Sequence, residues 1–250
     1  MHPLPILLLA VALVPMAHLL FGRRRPAQSG RRYPRMLRAS WLRFGVPPVL
    51  LLGLTGQWRA FWVPPPVFAP AAVFLGIDGL SAADRHYLIA AGAVGVAIGI
   101  LLGTLVTAAR ASRGRPEGTL FGDASALRPR NAGEFGWTAA ISITAGVTEE
   151  AYFRLLLPLF ATQATGSAVT GFAGATLLFG AAHRYQGWRG VAATTVAGAA
   201  LSVGYLATGS LLAMMAFHAA GDLGHLVLRP AVRGWIERQR GAGSQPAGAD

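Results

Sequence analysis

The sequence predicts an all-α membrane protein, a polytopic transmembrane helical bundle of about seven spans. Hydrophobic residues make up 53% of the 250-residue chain and charged residues only 13%, whereas charged residues make up about 25% of a typical soluble domain. The mean hydropathy of +0.47 agrees with this composition. We therefore expect the lipid bilayer to surround most of the helices, with membrane lipids as their partners.

Seven apolar runs approach the roughly 20 residues that an α-helix needs to cross a bilayer core. The second run is the weakest, because Pro47, Pro48, Gln57 and Arg59 interrupt it. No basic segment precedes the first run and Arg23 follows it, so we expect a retained span rather than a cleaved signal peptide. The runs cover residues 3–21, 44–63, 87–108, 137–161, 165–183, 190–207 and 210–228.

The basic residues predict the orientation of the spans. All 22 are Arg, and a seven-span arrangement places 19 of them on one side of the membrane, as the positive-inside rule expects of cytoplasmic loops. This predicts an N-terminus outside, a C-terminus inside, and a multi-pass location in a prokaryotic inner membrane. The net charge of +12 is distributed in short blocks between apolar runs, which argues against nucleic-acid binding.

The polar loop 109–134 divides the chain into two predicted membrane regions. Residues 1–130 form an N-terminal region of about three spans with Arg-rich cytoplasmic loops. Residues 131–228 form a four-helix core, and residues 229–250 form a basic cytoplasmic tail with a disordered end. The chain has no Cys, which excludes disulfides, thiolate metal sites and a cysteine nucleophile.

Ionisable side chains within the predicted spans mark a candidate functional site, because each costs about 2.5–3.5 kcal/mol to insert into a membrane. Glu150 and Arg154 are four residues apart on the fourth span, so they lie on one helix face and can form an ion pair. Glu149 is turned about 100° away from Glu150. Arg154 is thus expected to neutralise the carboxylate of Glu150, and the carboxylate of Glu149 remains available for catalysis.

Two other predicted spans carry histidines. His183 ends the fifth span, and His218 lies four residues before Asp222 on the seventh, so Asp222 can hydrogen-bond the ring and fix its tautomer. Each of these residues has a structural interpretation, as a helix-end histidine or a contact between helices. Together they place Glu149, His183 and His218 on three helices of one core, and we expect these side chains to converge on one cavity.

Such a set of side chains suits peptide hydrolysis, which needs a base, a donor for the oxyanion and an acid for the leaving amine. A glutamate and a histidine can share the first and last tasks. Alternatively, Glu149, His183 and His218 can hold a divalent metal such as zinc, with an open position for water. The spacing favours neither, so the cofactor stays open between a metal and none.

Three motifs in this region resemble, in order, those of the CPBP family (CAAX protease and bacteriocin-processing, or Abi), which includes the type II CAAX prenyl endopeptidases. The resemblance covers roughly residues 131–228. The motifs are Glu-Glu-x-x-x-Arg at 149–154, Phe-x-x-x-His at 179–183 and His-x-x-x-Asp at 218–222.

The resemblance implies that Glu149 and His183 activate water and that His218 and Asp222 form the oxyanion-binding side. Glu150 and Arg154 would support them. One position departs from the family pattern, because Asp222 stands where the prenyl proteases resemble one another in using Asn. An ionised Asp cannot donate a hydrogen bond to an oxyanion.

The predicted function is an intramembrane endopeptidase acting on a membrane-associated peptide or protein, either prenylated or of the bacteriocin type. One alternative is a non-catalytic immunity or scaffold protein of the same fold, which has no physical need for an unpaired Glu149. Another is a transporter that uses the same residues as a relay. The absence of a two-fold repeat of broken helices disfavours the transporter.

Overall fold

The computed structural model describes residues 3–21, 32–116, 118 and 122–243, and all regular structure in these ranges is helical. The prediction of an all-α fold is confirmed. Three π-helical segments, Trp41–Gly45, Ala151–Leu156 and Gly224–Leu228, join α2 to α3, α6 to α7 and α10 to α11. The α-helices are α1 (Pro3–Phe21), α2 (Arg32–Ser40), α3 (Val46–Leu54), α4 (Ala69–Phe74), α5 (Ala82–Ser112), α6 (Phe135–Glu150), α7 (Leu157–Thr165), α8 (Ala168–Ala182), α9 (Gly187–Thr208), α10 (Leu211–Leu223) and α11 (Arg229–Gly243).

Four helices of the described chain are long and apolar enough to cross a membrane, which makes this an integral membrane protein. They are Pro3–Phe21, Ala82–Ser112, Arg184–Thr208 and Leu211–Gly241, and they correspond to the first, third, sixth and seventh predicted spans. The fifth predicted span is α8, an apolar helix of only 15 residues. The fourth lies in the continuous helical stretch formed by α6, the π-helical segment and α7. A count of seven spans is therefore not confirmed.

The second predicted span, residues 44–63, is wrong in its limits. The helical stretch that overlaps it starts at Arg32 and ends at Leu54. Thr55 donates its hydroxyl proton to the carbonyl oxygen of Leu51, 2.7 Å away, and Gly56 adopts a positive φ of 68°. A left-handed glycine just after the last turn is a common helix terminator. It ends the helix here although the residues that follow are apolar.

In the described part of the chain, most of the Arg-rich segments meet at one end of the bundle; Arg23, Arg24, Arg25 and Arg31 lie outside the described residues. Contacts there join the end of α1 to the turn after α8, the start of α2 to the segment before α6, and the end of α5 to α11. At the opposite end, Arg85 packs against Gly209. The Arg asymmetry thus corresponds to two ends of the fold, while its orientation in a membrane stays a prediction. The three contacts are Arg184 to Leu19 O (3.1 Å), Arg32 to Glu134 (2.6 Å) and Arg240 to Ala111 O (2.8 Å).

The N-terminal helices pack directly against the helices of the predicted core. The phenol of Tyr152 donates a hydrogen bond of 2.5 Å to the carbonyl oxygen of Ala12 in α1. The ring of Phe44, from the segment between α2 and α3, lies 5.1 Å from the Tyr152 ring. One buried cluster thus contains residues from both sides of the predicted boundary at residue 130, and that boundary stays a prediction.

The predicted tail, residues 229–250, begins as helix α11 and is ordered to Gly243; residues 244–250 lie outside the described part of the chain. Carbonyl groups at the end of a helix have no partners within the helix, and α11 supplies partners for α5. Arg240 donates to Ala111 O at 2.8 Å, and Arg233 donates to Arg115 O at 3.2 Å. These contacts hold the basic segment against the end of α5.

Candidate active site

The two adjacent glutamates face different partners. Glu150 ends α6, and its Oε2 lies 3.0 Å from Nε of Arg154, with both side chains fully buried. Glu149 Oε2 instead lies 4.0 Å from Nε2 of His183. The helix geometry predicted this division, although the segment that carries Arg154 is π-helical. Such segments occur often at functional sites.

Arg154 is a buried cation held by one carboxylate and one aromatic ring. Its guanidinium carbon lies 4.4 Å from the ring centroid of Phe179, a distance at which a cation is attracted to the face of the ring. Nη1 and Nη2 make no hydrogen bond with the described residues. Glu150 is therefore the principal compensation for the charge of Arg154.

The orienting partner of His218 is Glu150 and not Asp222. Nδ1 of His218 lies 2.8 Å from Oε1 of Glu150, whereas Nε2 is 3.8 Å from Oδ2 of Asp222, beyond hydrogen-bond length. The prediction that Asp222 fixes the tautomer is corrected. Gly146 gives the physical reason, because a Cβ there would lie 2.8 Å from the backbone N of Ala219. The missing side chain lets α10 approach α6, so the carboxylate one turn later reaches His218.

His183 follows the last residue of α8, and its ring is oriented by the backbone. Nδ1 lies 2.9 Å from the carbonyl oxygen of Phe179. Because a carbonyl only accepts, Nδ1 carries the proton, and the neutral ring presents the lone pair of Nε2 towards Glu149. The motif Phe-x-x-x-His therefore has a structural basis, since Phe179 provides the carbonyl that sets the tautomer and the ring that faces Arg154.

Two adjoining cavities are lined by four of the six predicted site residues, while Glu150 and Arg154 are buried behind them. Glu149, His183 and Asp222 line the first, of about 290 Å³, and His183, His218 and Asp222 line the second, of about 450 Å³. His183 and Asp222 belong to both. Glu149 and His218 thus line different cavities, whereas the prediction placed them in one.

The segment 122–130, which lies outside the predicted core, forms part of the wall of both cavities. Leu127 lines both of them, and Arg32 holds the segment by donating to Arg128 O at 2.8 Å and to Glu134 at 2.6 Å. The backbone N–H of Arg130 and the charge of Arg32 keep the pKa of Glu134 below its usual value. This carboxylate therefore remains ionised near neutral pH, and its ion pair with Arg32 persists.

The residues do not fit the alternative of a preformed metal site. In the described ranges, no three His, Asp or Glu side chains are grouped so that they can hold a metal ion.

Sequence reasoning missed two contributions to the cavities. Arg43, from the segment between α2 and α3, lines the first cavity, and no local pattern could show that this segment packs on α6. Tyr185 lines both cavities. Its position two residues after His183, in the turn that follows a helix end, was the available signal.

Residues 131–224 match the family described as Type II CAAX prenyl endopeptidase Rce1-like, which is a protease family. The match contains all three motifs, so it includes every predicted site residue. No curated protein and no solved structure matches the chain. Over residues 131–224 the chain is similar to the Rce1-like type II CAAX prenyl endopeptidases, consistent with a CPBP-family intramembrane protease, which confirms the resemblance predicted from the motifs.

Proposed function

We propose that the protein is an intramembrane endopeptidase in which Glu149 and His183 activate water. The observation that carries the proposal is the separation of 4.0 Å between Glu149 Oε2 and His183 Nε2 on the wall of the first cavity. Hydrogen bonds of water are about 2.8 Å long, so one water molecule can donate to both atoms at once. Glu149 Oε2 is buried and has no hydrogen-bond partner among the described groups. A water held in this way presents an oxygen lone pair to the substrate.

Hydrolysis follows from this placement. Glu149 accepts a proton as the water oxygen bonds to the carbonyl carbon, and the electrons of the C=O double bond move to the carbonyl oxygen. When the double bond re-forms, the C–N bond breaks and the proton held between Glu149 and His183 passes to the leaving nitrogen. One water is consumed, and a carboxyl and an amine are released. General acid–base assistance of this kind is worth roughly 10²–10⁴ in rate.

Glu150 and Arg154 support this chemistry through His218, which lines the second cavity. The 2.8 Å contact of His218 Nδ1 with Glu150 directs Nε2 away from α6, and Arg154 offsets the charge of Glu150 at 3.0 Å. His218 and Asp222 then face the substrate in the second cavity.

The proposed substrate is a peptide or protein in or at the membrane, because the site lies within a bundle of membrane helices. A prenylated substrate is proposed from the description of the matched family, and a bacteriocin-type peptide is the second class. Cells that carry Glu149→Gln in place of the native protein are expected to accumulate the uncleaved substrate. Quantitative mass spectrometry of membrane peptides, compared between the two strains, would identify it. Identical membrane peptide profiles would contradict the proposal.

The seven-span arrangement, with the N-terminus outside and the C-terminus in the cytoplasm, is part of this proposal. It rests on the Arg-rich segments that meet at one end of the bundle. A reporter that is active only outside the cell, fused after residue 240, is expected to give no signal. The same reporter placed before residue 3 is expected to be active, and the reverse pattern would invert the orientation.

A further inference from the structure

Tyr185 lies where the two cavities meet. It belongs to the turn Arg184–Gln186, which directly follows His183, and its ring centroid is 5.9 Å from that of His183. The polar residues that line both cavities are His183, Tyr185 and Asp222. Tyr185 is 39% exposed, so a molecule in either cavity can reach it.

The other polar residues that line both cavities, His183 and Asp222, are arranged as acceptors. Nδ1 of His183 donates to a backbone carbonyl, so the neutral ring presents only the lone pair of Nε2. An ionised Asp222 also accepts without donating. Hydrolysis nevertheless requires a donor for the oxygen that becomes negative in the tetrahedral intermediate.

The phenol of Tyr185 has a proton to donate. Its oxygen accepts a hydrogen bond of 3.0 Å from Nε2 of Gln186, an interaction that uses a lone pair and leaves the O–H proton available. The turn that holds it is closed by one hydrogen bond and joined to the segment before α6 by another. The N–H of Gln186 donates to His183 O at 2.9 Å, and the N–H of Asp123 donates to Gln186 O at 3.0 Å.

We infer that Tyr185 is a further catalytic residue, whose hydroxyl donates a hydrogen bond to the oxyanion formed at the scissile carbonyl. The inference rests on the proposed function, because a peptide attacked by water at Glu149 and also in contact with His218 must cross the boundary where Tyr185 lies. The hydroxyl keeps its proton throughout. It stabilises the charge on the carbonyl oxygen, while the proton of the water passes to Glu149.

The test compares Tyr185→Phe with the native protein on a fluorogenic membrane peptide that the native protein cleaves. Phe keeps the ring beside His183 and removes only the hydroxyl. We expect kcat to fall by roughly 10²–10³, the effect of removing one oxyanion donor, with little change in KM. The phosphinic analogue of the same peptide bond mimics the tetrahedral state, so its affinity should fall by a similar factor. A purely structural role of Tyr185 would not lower kcat and the affinity for the analogue by the same factor.

Tyr87→Phe is the matched control, because Tyr87 is 73% exposed on α5 and its variant should keep full activity. If Tyr185→Phe fails to fold, a ring-fluorinated tyrosine at position 185 preserves the shape and acidifies the phenol, and an unchanged pH–rate profile would then overturn the inference. Activity of Tyr185→Phe within threefold of native, with Glu149→Gln inactive, would overturn the role of Tyr185 alone. A native protein that cleaves no membrane peptide would overturn the proposed function as well.

Discussion

Replacement of Glu149 by Gln is expected to abolish hydrolysis and leave the protein folded. Gln has nearly the same shape but cannot take a proton from water, so kcat should fall by roughly 10²–10⁴ or more. Folding should survive because, within the described residues, the ion pair of Glu149 is with His183, at a separation of 4.0 Å. Rates on a cleavable membrane peptide, measured beside thermal stability in detergent, would check both parts.

The control for this variant is Glu237→Gln. It makes the same chemical change on the surface of α11, where the carboxylate is 49% exposed and paired with Arg233. Such exposed pairs contribute about 0–1 kcal/mol, so both activity and stability should be unchanged. Full activity in Glu149→Gln would remove the enzyme hypothesis and favour a binding protein of the same fold.

Replacement of Glu150 by Gln is expected to cost stability first. Glu150 is fully buried and holds Arg154 at 3.0 Å and His218 at 2.8 Å. Gln leaves a buried guanidinium without a counter-charge, and removal of one partner of such a pair costs about 3–5 kcal/mol. Activity should fall too, because His218 loses its orienting carboxylate. The free energy of unfolding of native protein and variant in detergent would measure the first effect.

A second substitution separates charge from packing. The double variant Glu150→Gln with Arg154→Met removes both members of the ion pair, so it should recover much of the stability that Glu150→Gln loses. Native stability of Glu150→Gln combined with complete loss of activity would instead assign the general base to Glu150 and reverse the roles of the two glutamates.

The parts of this structure that depend on local spacing could be predicted from the sequence. Apolar runs located the helices because a span must satisfy its backbone hydrogen bonds internally. The i, i+4 rule paired Glu150 with Arg154 and separated Glu149 from both. His183 was recognised through its position at a helix end.

Contacts between helices could not be predicted in the same way. The hydrogen bond from His218 to Glu150 joins residues that are 68 positions apart, and it depends on the close approach of α10 at Gly146. Asp222 is a nearer neighbour of His218 in sequence, yet it lies 3.8 Å from Nε2. The contribution of Arg43 depends likewise on how the segment between α2 and α3 packs against α6. Periodicity shows which face of a helix is apolar, but it does not show which helix that face meets.

The central claim is that water, activated at Glu149, hydrolyses a peptide bond. The most direct measurement is digestion of a membrane peptide library by the purified protein in water enriched with oxygen-18, followed by mass spectrometry of the products. The account predicts new C-termini that carry the heavy oxygen with the native protein, and none with Glu149→Gln. New C-termini of equal abundance from both proteins would contradict it.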